Sequence, residues 1–171
     1  MGIGDTVIFL PFIKALSKKF NSPISILVKE NSKANQYLHQ TKYIDKILTL
    51  ERDNKTNNRH GGFFGIFKLA NDLKKYKFDK IFIFNSSLRF NLVSKISGIP
   101  QIYQYPLFAK NKQHIVEAPK KFLKKNLDLD INEDPEVQID NDSISKAAQK
   151  FQIDKNTTNI LLGIGGSGPT K

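Results

Sequence analysis

Two glycine-containing stretches, one near each end of the chain, hold the residues best suited to chemistry. The first is GIGD at 2–5, where Gly2 and Gly4 precede Asp5 and an apolar stretch with helical spacing. Glycines let a backbone come close to a ligand, and the dipole of a helix stabilises a charged carboxylate in its first turn. Asp5 is therefore a candidate general base, since a base must be ionised to accept a proton. The alternative is that Asp5 only caps the helix.

The second stretch is GIGGSGPTK at 163–171, which follows an apolar run. It matches the G-x-G-x-x-G pattern of dinucleotide-binding turns, but Pro169 stands where a Walker A loop has its lysine. A glycine turn followed by a cation suits a phosphate group. Gly166, Ser167 and Lys171 are therefore candidate phosphate-binding residues. The alternative is an ordinary strand-to-helix turn with a lysine in solvent.

The composition indicates a globular chain without metal or disulfide chemistry. Its 171 residues are 39% hydrophobic and 25% charged, and none is cysteine. His39, His60 and His114 share no metal-ligand spacing, so they are interpreted as surface or capping residues, and no metal or cofactor is expected. No apolar run approaches the roughly 20 residues of a membrane-spanning helix. A cytoplasmic location fits these features.

The net charge of +11 suggests an anionic partner, such as nucleotide phosphates or an anionic membrane surface. Only three of the 27 basic residues are arginine, which disfavours nucleic acid because base recognition relies on arginine. The basic helix predicted at 114–127 is a candidate for membrane contact. The alternative is that the lysines reflect composition only.

Short apolar runs alternate with stretches of helical spacing along the whole chain. The predicted strands are 23–28, 43–50, 79–85, 99–107 and 159–165, and the predicted helices are 5–20, 34–39, 63–77, 86–98, 114–127 and 142–152. This alternation predicts an α/β fold with a Rossmann-like parallel sheet covered by helices on both faces. Ligands of such folds bind at the carboxyl ends of the strands.

Several residues predict where these helices begin and end and which side of a helix is buried. Pro11 should kink the first helix or lie in its first turn. Ser86 or Ser87 should cap the helix that ends at Gly98, and Asp142 should cap the last helix. The polar loop at 52–62 contains no core-forming residues. The apolar stripe of the helix at 63–77 is assigned to Phe64, Phe67, Leu73 and Tyr76, with Leu69 flanking it.

Taken in order, these segments resemble glycosyltransferase family 9, the ADP-heptose:lipopolysaccharide heptosyltransferases. GIGDTVIFLPFIKALSKKF resembles the G-D-x-x-x-x-x-P-x-x-x-x-L opening of the family, and IDKILTL with YKFDKIFIFNSSLRFNLVSKISGIP resembles its "yDlvid…slRsa…sGip" segment. LLGIGGSGPTK resembles the glycine turn and lysine that open the family's second domain. The resemblance covers essentially all 171 residues.

The resemblance implies an inverting, metal-independent transfer of heptose from ADP-heptose to the anionic inner core of lipopolysaccharide. In that reaction Asp5 would take the proton of the acceptor hydroxyl, and Lys171 would stabilise the leaving diphosphate. The location would be cytoplasmic, with peripheral contact to the inner face of the inner membrane. The matching segments offer further residues near the acceptor, namely Gly2, Gly4, Ser87 and Arg89.

The resemblance also implies that the chain is the N-terminal half of a two-domain GT-B fold. Residues 1–152 would form the acceptor-side domain without its first strand, and 153–171 would be a linker and the first strand of a donor-binding domain. Such a fragment is expected to be inactive alone. Two alternatives stay open: an NAD(P)-dependent oxidoreductase that uses GIGGSG, and a non-catalytic nucleotide-binding module.

Overall fold

The computed structural model describes residues 2–52, 58–107, 114–154 and 156–160. It divides into two compact units, Met1–Gln138 and Ile139–Lys171, whereas the domain boundary after residue 152 stays a prediction. The elements in chain order are α1 (Ile3–Ile8), α2 (Leu10–Phe20), β1 (Ile24–Lys29), a 3₁₀ turn (Glu30–Ser32), α3 (Ala34–Tyr37), β2 (Ile44–Leu50), α4 (Phe64–Lys74), β3 (Lys80–Ile83), α5 (Leu88–Ile96), β4 (Gln101–Gln104), α6 (Glu117–Leu127) and, in the smaller unit, α7 (Asn141–Lys150).

The four strands of the larger unit run parallel to their partners in two pairs. β1 pairs with β2, with Ile26 opposite Ile47, and β3 pairs with β4, with Ile81 opposite Ile102. Within the described ranges, no ladder of backbone hydrogen bonds joins one pair to the other. The strands thus form two parallel pairs rather than the one continuous sheet that the sequence predicts.

Helices cover both faces of the first strand pair, because successive strand residues point to opposite sides. Ile26 packs with Ile13 of α2. Its neighbour Leu27 packs on the other side with Leu69 of α4, and α5 joins the same cluster through Val93. The α/β fold with helices on both faces, predicted from the alternation of elements, is confirmed.

The second strand pair packs against α2 and α6. Phe12 of α2 and Leu123 of α6 are almost fully buried in a cluster that includes Phe82 and Tyr103. The rings of Phe82 and Tyr103 stack across the pair with centroids 4.7 Å apart. Because α2 also packs on β1, this one helix contacts both strand pairs on the same side of the fold.

The predicted effect of Pro11 is confirmed. The helix expected at 5–20 divides at Phe9, which ends α1 and caps α2, and Pro11 lies in the first turn of α2. Proline is tolerated there because the first N–H groups of a helix have no partner within it. The longest described helices have 11 residues, and no helix in the described part of the chain is long and apolar enough to span a membrane.

The buried side of α4 differs from the predicted apolar stripe. Phe64, Phe67 and Tyr76 are 77%, 48% and 41% exposed, so their assignment to that stripe was wrong. The side chains of α4 that are buried are smaller than the phenylalanines. They also follow the spacing i, i+3, i+4 and i+7 that is typical of the core side of a helix. These positions are Ile66, Leu69, Ala70 and Leu73.

The ends of two helices test the predicted caps. Ser87 precedes α5 as its N-cap, and Gly98 follows it with φ of +77°, a left-handed conformation that favours glycine. The cap predicted for α7 was wrong, because Asp140 rather than Asp142 accepts the Ser143 N–H at 2.7 Å. The helix begins earlier than its apolar pattern indicated. The predicted strand at 159–165 falls mostly outside the described residues.

Candidate functional site

The candidate site is formed by residues that follow the carboxyl ends of the strands, where doubly wound folds bind their ligands. α1 lies at this end of β1, because it packs against the 3₁₀ turn Glu30–Ser32 that directly follows the strand. Asp5 belongs to α1, and Ser87 and Arg89 follow β3. The predicted residues of the first glycine stretch and of the 86–98 segment therefore share this end of the fold.

Asp5 occupies the first turn of α1 and closes it. Its Oδ2 accepts the Gly2 N–H at 2.9 Å, which is the side-chain half of a capping box. Thr6, which is 2% exposed, donates its hydroxyl to the Gly2 carbonyl at 3.0 Å and anchors the same turn. Asp5 is itself only partly buried. A cap bond uses one of the roughly four lone pairs of a carboxylate, so the capping role by itself does not exclude proton transfer.

Nothing in the fold requires glycine at either position beside Asp5. Gly2 has extended backbone angles, with φ of −99°. A Cβ added to Gly2 or to Gly4 would meet no atom of the described residues within 4 Å. The space in front of this turn is therefore open, and a side chain there would project into it.

The loop after β3 is held by side-chain bonds to β4. Gln104 donates its amide to the carbonyls of Asn85 and Ser87, both at 2.9 Å. The Ser87 N–H in turn donates to Asn85 Oδ1 at 2.7 Å. Asn91 of α5 donates to Gln104 Oε1 at 2.9 Å and completes the network. The backbone around Ser87 is thus fixed at the strand end.

Arg89 links α5 to the segment that precedes α4. Its Nη1 donates to the Gly62 carbonyl at 2.7 Å, and its Nη2 donates to the His60 carbonyl. These bonds position the segments after β2 and β3 relative to one another. A contact between Arg89 and an acceptor stays a prediction.

His60 was missed by the sequence analysis, which interpreted it as a surface or capping residue. It is 3% exposed, its Nδ1 accepts the Glu51 N–H at 3.1 Å, and its Nε2 lies 3.1 Å from Asp72 Oδ2. An Nδ1 that accepts a backbone N–H carries no proton, so Nε2 carries it and donates to Asp72. No local sequence pattern marks this pairing, because the partners lie 12 residues apart and meet only when α4 has packed.

Asp72 is surrounded by donors on every side. Arg59 approaches with both terminal nitrogens, at 2.7 and 2.8 Å, and Lys75 lies at 3.1 Å. Burial by itself would raise the pKa of Asp72, but the hydrogen bonds from Arg59, His60 and Lys75 outweigh it and lower the pKa to about 2. A carboxylate with all its lone pairs occupied in this way is held as a structural ion.

A shallow cavity of about 300 Å³ lies beside this cluster. Its apolar wall is formed by leucines of β1, β2 and α4, and its rim carries Glu51, Arg59, His60, Asp72 and Lys75. On this rim, Arg59, His60 and Lys75 all bond to Asp72. Among the described residues, no group of three or more histidines or carboxylates is placed to hold a metal ion.

The second predicted stretch, GIGGSGPTK at 163–171, is not among the described residues. Gly166, Ser167 and Lys171 lie outside the described residues. Their role at a phosphate therefore stays a prediction, as does the second domain that they would open.

No protein-family model and no curated protein matches the chain. Its fold is similar to the crystal structure of the glycosyl transferase family 9 from Veillonella parvula DSM 2008, with a TM-score of 0.74 and 17% identity. The match covers 100% of this chain and 53% of that one, so the chain spans about half the length of its structural neighbour. The likeness confirms the predicted fold class, a Rossmann-like arrangement consistent with the N-terminal half of a GT-B fold.

Proposed function

We propose that this chain is the acceptor-side half of a glycosyltransferase that uses a nucleotide-sugar donor. The observation that carries the proposal is the fold, which matches a glycosyl transferase over the whole chain at a TM-score of 0.74. The position of Asp5 beside an open space at the carboxyl end of β1 supports it. The donor half would be supplied by a second domain joined after Lys171.

In the proposed reaction the acceptor hydroxyl attacks the anomeric carbon of the donor sugar. A bond forms between the acceptor oxygen and that carbon while the bond from the carbon to the diphosphate oxygen breaks, with inversion. Asp5 accepts the hydroxyl proton, and the nucleoside diphosphate leaves with the electron pair. Lys171, with Gly166 and Ser167, would meet the charge that develops on the diphosphate. No metal is required for this division of roles.

The finer proposal concerns the substrates. The segments that resemble the heptosyltransferases favour ADP-heptose as donor and the lipopolysaccharide inner core as acceptor. The net charge of +11 suits an acceptor that carries phosphates. Under this proposal Ser87 and Arg89 lie near the acceptor, and the glycines at 2 and 4 leave room for it.

A donor-binding experiment tests the division between the two halves. ADP-sugar is titrated calorimetrically into the 171-residue chain and into a protein in which a second domain follows Lys171. We expect weak or no binding to the chain alone, binding to the longer protein, and loss of affinity in Lys171→Ala. Lys125→Ala, an exposed lysine of α6, is the matched control and should leave the affinity unchanged. Tight binding by the 171 residues alone would show that the donor site is assigned to the wrong part of the molecule.

Turnover of the longer protein tests the reaction class itself. A panel of nucleotide sugars that includes ADP-heptose is offered with lipopolysaccharide-core acceptors, and sugar transfer is followed by mass spectrometry. Reduction of a substrate by NAD(P)H without any sugar transfer would replace the proposal with the oxidoreductase alternative. Transfer from a different nucleotide sugar would keep the glycosyltransferase and reject only the heptose.

A further inference from the structure

The outward side of α4 and α5 exposes an unusual number of large apolar side chains. Phe63, Phe64 and Phe67 at the start of α4 are 69%, 77% and 48% exposed. On α5, Leu88, Leu92 and Ile96 are 43%, 39% and 45% exposed. Their spacing of four residues places them on one side of the helix. These six residues are the α4–α5 surface.

The two stripes belong to neighbouring helices. α4 and α5 pack on each other through a shared cluster that includes Leu69 and Val93. Arg89 ties the first turn of α5 to the Gly62 carbonyl, directly before Phe63. Both helices thus pack into the core through their inner sides, and the six exposed side chains are not needed to hold the helices together.

The ring of Phe63 contacts those of Phe64 and Phe67. The ring of Phe63 lies 6.0 Å from that of Phe64 and 5.6 Å from that of Phe67, both edge to face. Aromatic rings grouped on a surface are costly in water and are typical of interaction sites. The group would be favoured in the boundary zone of a lipid bilayer, where aromatic and leucine side chains enter from one side of an amphipathic helix.

The charged residues of α4 and α5 themselves are almost all positive. Exposed lysines flank the apolar stripes at Lys68, Lys74 and Lys95, and none of them pairs with a carboxylate of the described residues. The only acidic residue within either helix is Asp72, and its charge is already met by Arg59 and Lys75. Apolar side chains bordered by unpaired lysines complement a membrane surface of anionic lipid.

We propose that the α4–α5 surface docks the protein on an anionic lipid bilayer. The phenylalanines enter the boundary between headgroups and acyl chains, and the lysines contact lipid phosphates. This inference goes beyond glycosyl transfer and does not depend on it. A second copy of the chain fits the surface poorly, since a symmetric contact would bring the same unpaired lysines together.

The basic helix α6, which the sequence offered for membrane contact, has less to contribute. Its apolar residues Phe122 and Leu123 are buried in the core. Lys124 is paired with Asp128 at 2.9 Å and with Asp130 at 2.6 Å. No large hydrophobic side chain between Glu117 and Leu127 is exposed. α6 therefore provides a natural control for charge without apolar side chains.

The test uses the 171-residue chain and lipid vesicles, with no donor or acceptor present, so its outcome is separate from that of the proposed function. Binding is measured by vesicle flotation with phosphatidylcholine alone and with added phosphatidylglycerol. We expect binding only to the anionic vesicles, weakened at high salt. Replacing Phe63, Phe64 and Phe67 by Gln should weaken it about tenfold or more, and replacing Lys68, Lys74 and Lys95 by Gln should do the same.

The control replaces three lysines of α6, Lys120, Lys121 and Lys125, by Gln and should keep binding within about twofold. The altered side chains on α4 and α5 are exposed, and unchanged melting curves would verify that each variant folds. If the α6 control lost as much binding as the other variants, the attraction would depend on net charge alone, and the proposal would be overturned. An absence of binding by the unaltered chain, or a dimer in light scattering that the phenylalanine variant abolishes, would also overturn it.

Discussion

Asp5 and Asp72 are carboxylates on two helices of the same compact unit, and their surroundings differ sharply. Asp72 is bonded by Arg59, His60 and Lys75, which occupy both of its oxygens. Asp5 closes the first turn of α1 through the Gly2 N–H, with open space in front of the glycines. The lowered pKa of Asp72 thus reflects bonds that are made within the protein. A perturbed pKa marks a functional residue only where a ligand can reach it.

The largest effect expected from this contrast is on turnover. In the longer protein, Asp5→Asn should lower turnover by roughly 10²–10⁴-fold, the usual contribution of a general base, while acceptor binding is kept. Asp142→Asn, another first-turn acid, exposed on α7, is the control for the loss of a helix-end charge. Measured turnover near that of the unaltered protein would return Asp5 to the role of a cap.

The next effect concerns the buried partner of Asp72. His60→Ala should destabilise the chain by about 3 kcal/mol, because it leaves a cavity and removes the partner of the partly buried Glu51 N–H. His39→Ala is the matched control, since His39 is exposed, and should change stability by less than about 0.5 kcal/mol. Urea unfolding of both variants measures the difference. Similar midpoints for the two would mean that His60 contributes nothing through its bonds.

The contrast also shows what the sequence could and could not predict. The alternation of short apolar runs and helices was sufficient for the α/β fold, and Ser87 and Gly98 marked the ends of α5. The predicted buried side of α4 was wrong because phenylalanines with helical spacing fit the pattern of a buried side even when that side is exposed. Apolar periodicity records which residues share a side of a helix, not what that side contacts.

The candidate site, like the fold, could be predicted from the sequence only in part. A glycine turn and a first-turn acid are local features, so the sequence located Asp5 at a helix start. The bonds of Arg89 to the carbonyls of His60 and Gly62 span more than 25 residues. They depend on how α5 approaches the segment after β2. Such contacts are set by tertiary packing, and no spacing within one segment predicts them.

The smallest expected effect is on the pH dependence of stability. Burial by itself would raise the pKa of Asp72. The bonds from Arg59, His60 and Lys75 have the larger effect and lower the pKa from an unfolded value of 3.8 to about 2. A depressed pKa contributes stability that is fully present above the unfolded value and is lost as the pH falls through the folded one. The side chain of Asp72 is 19% exposed, but those of Arg59 and Lys75 are 46% and 65% exposed, so solvent screens part of the interaction and the contribution is about 1 kcal/mol at neutral pH. The free energy of unfolding of the unaltered chain minus that of Asp72→Asn should therefore shrink by most of this amount between pH 6 and pH 2.

Taking the difference removes the titration of every other carboxylate that the two proteins share. A difference that stays constant over this range would show that the donors around Asp72 do not favour its charged form, and the contrast with Asp5 would then rest on geometry alone.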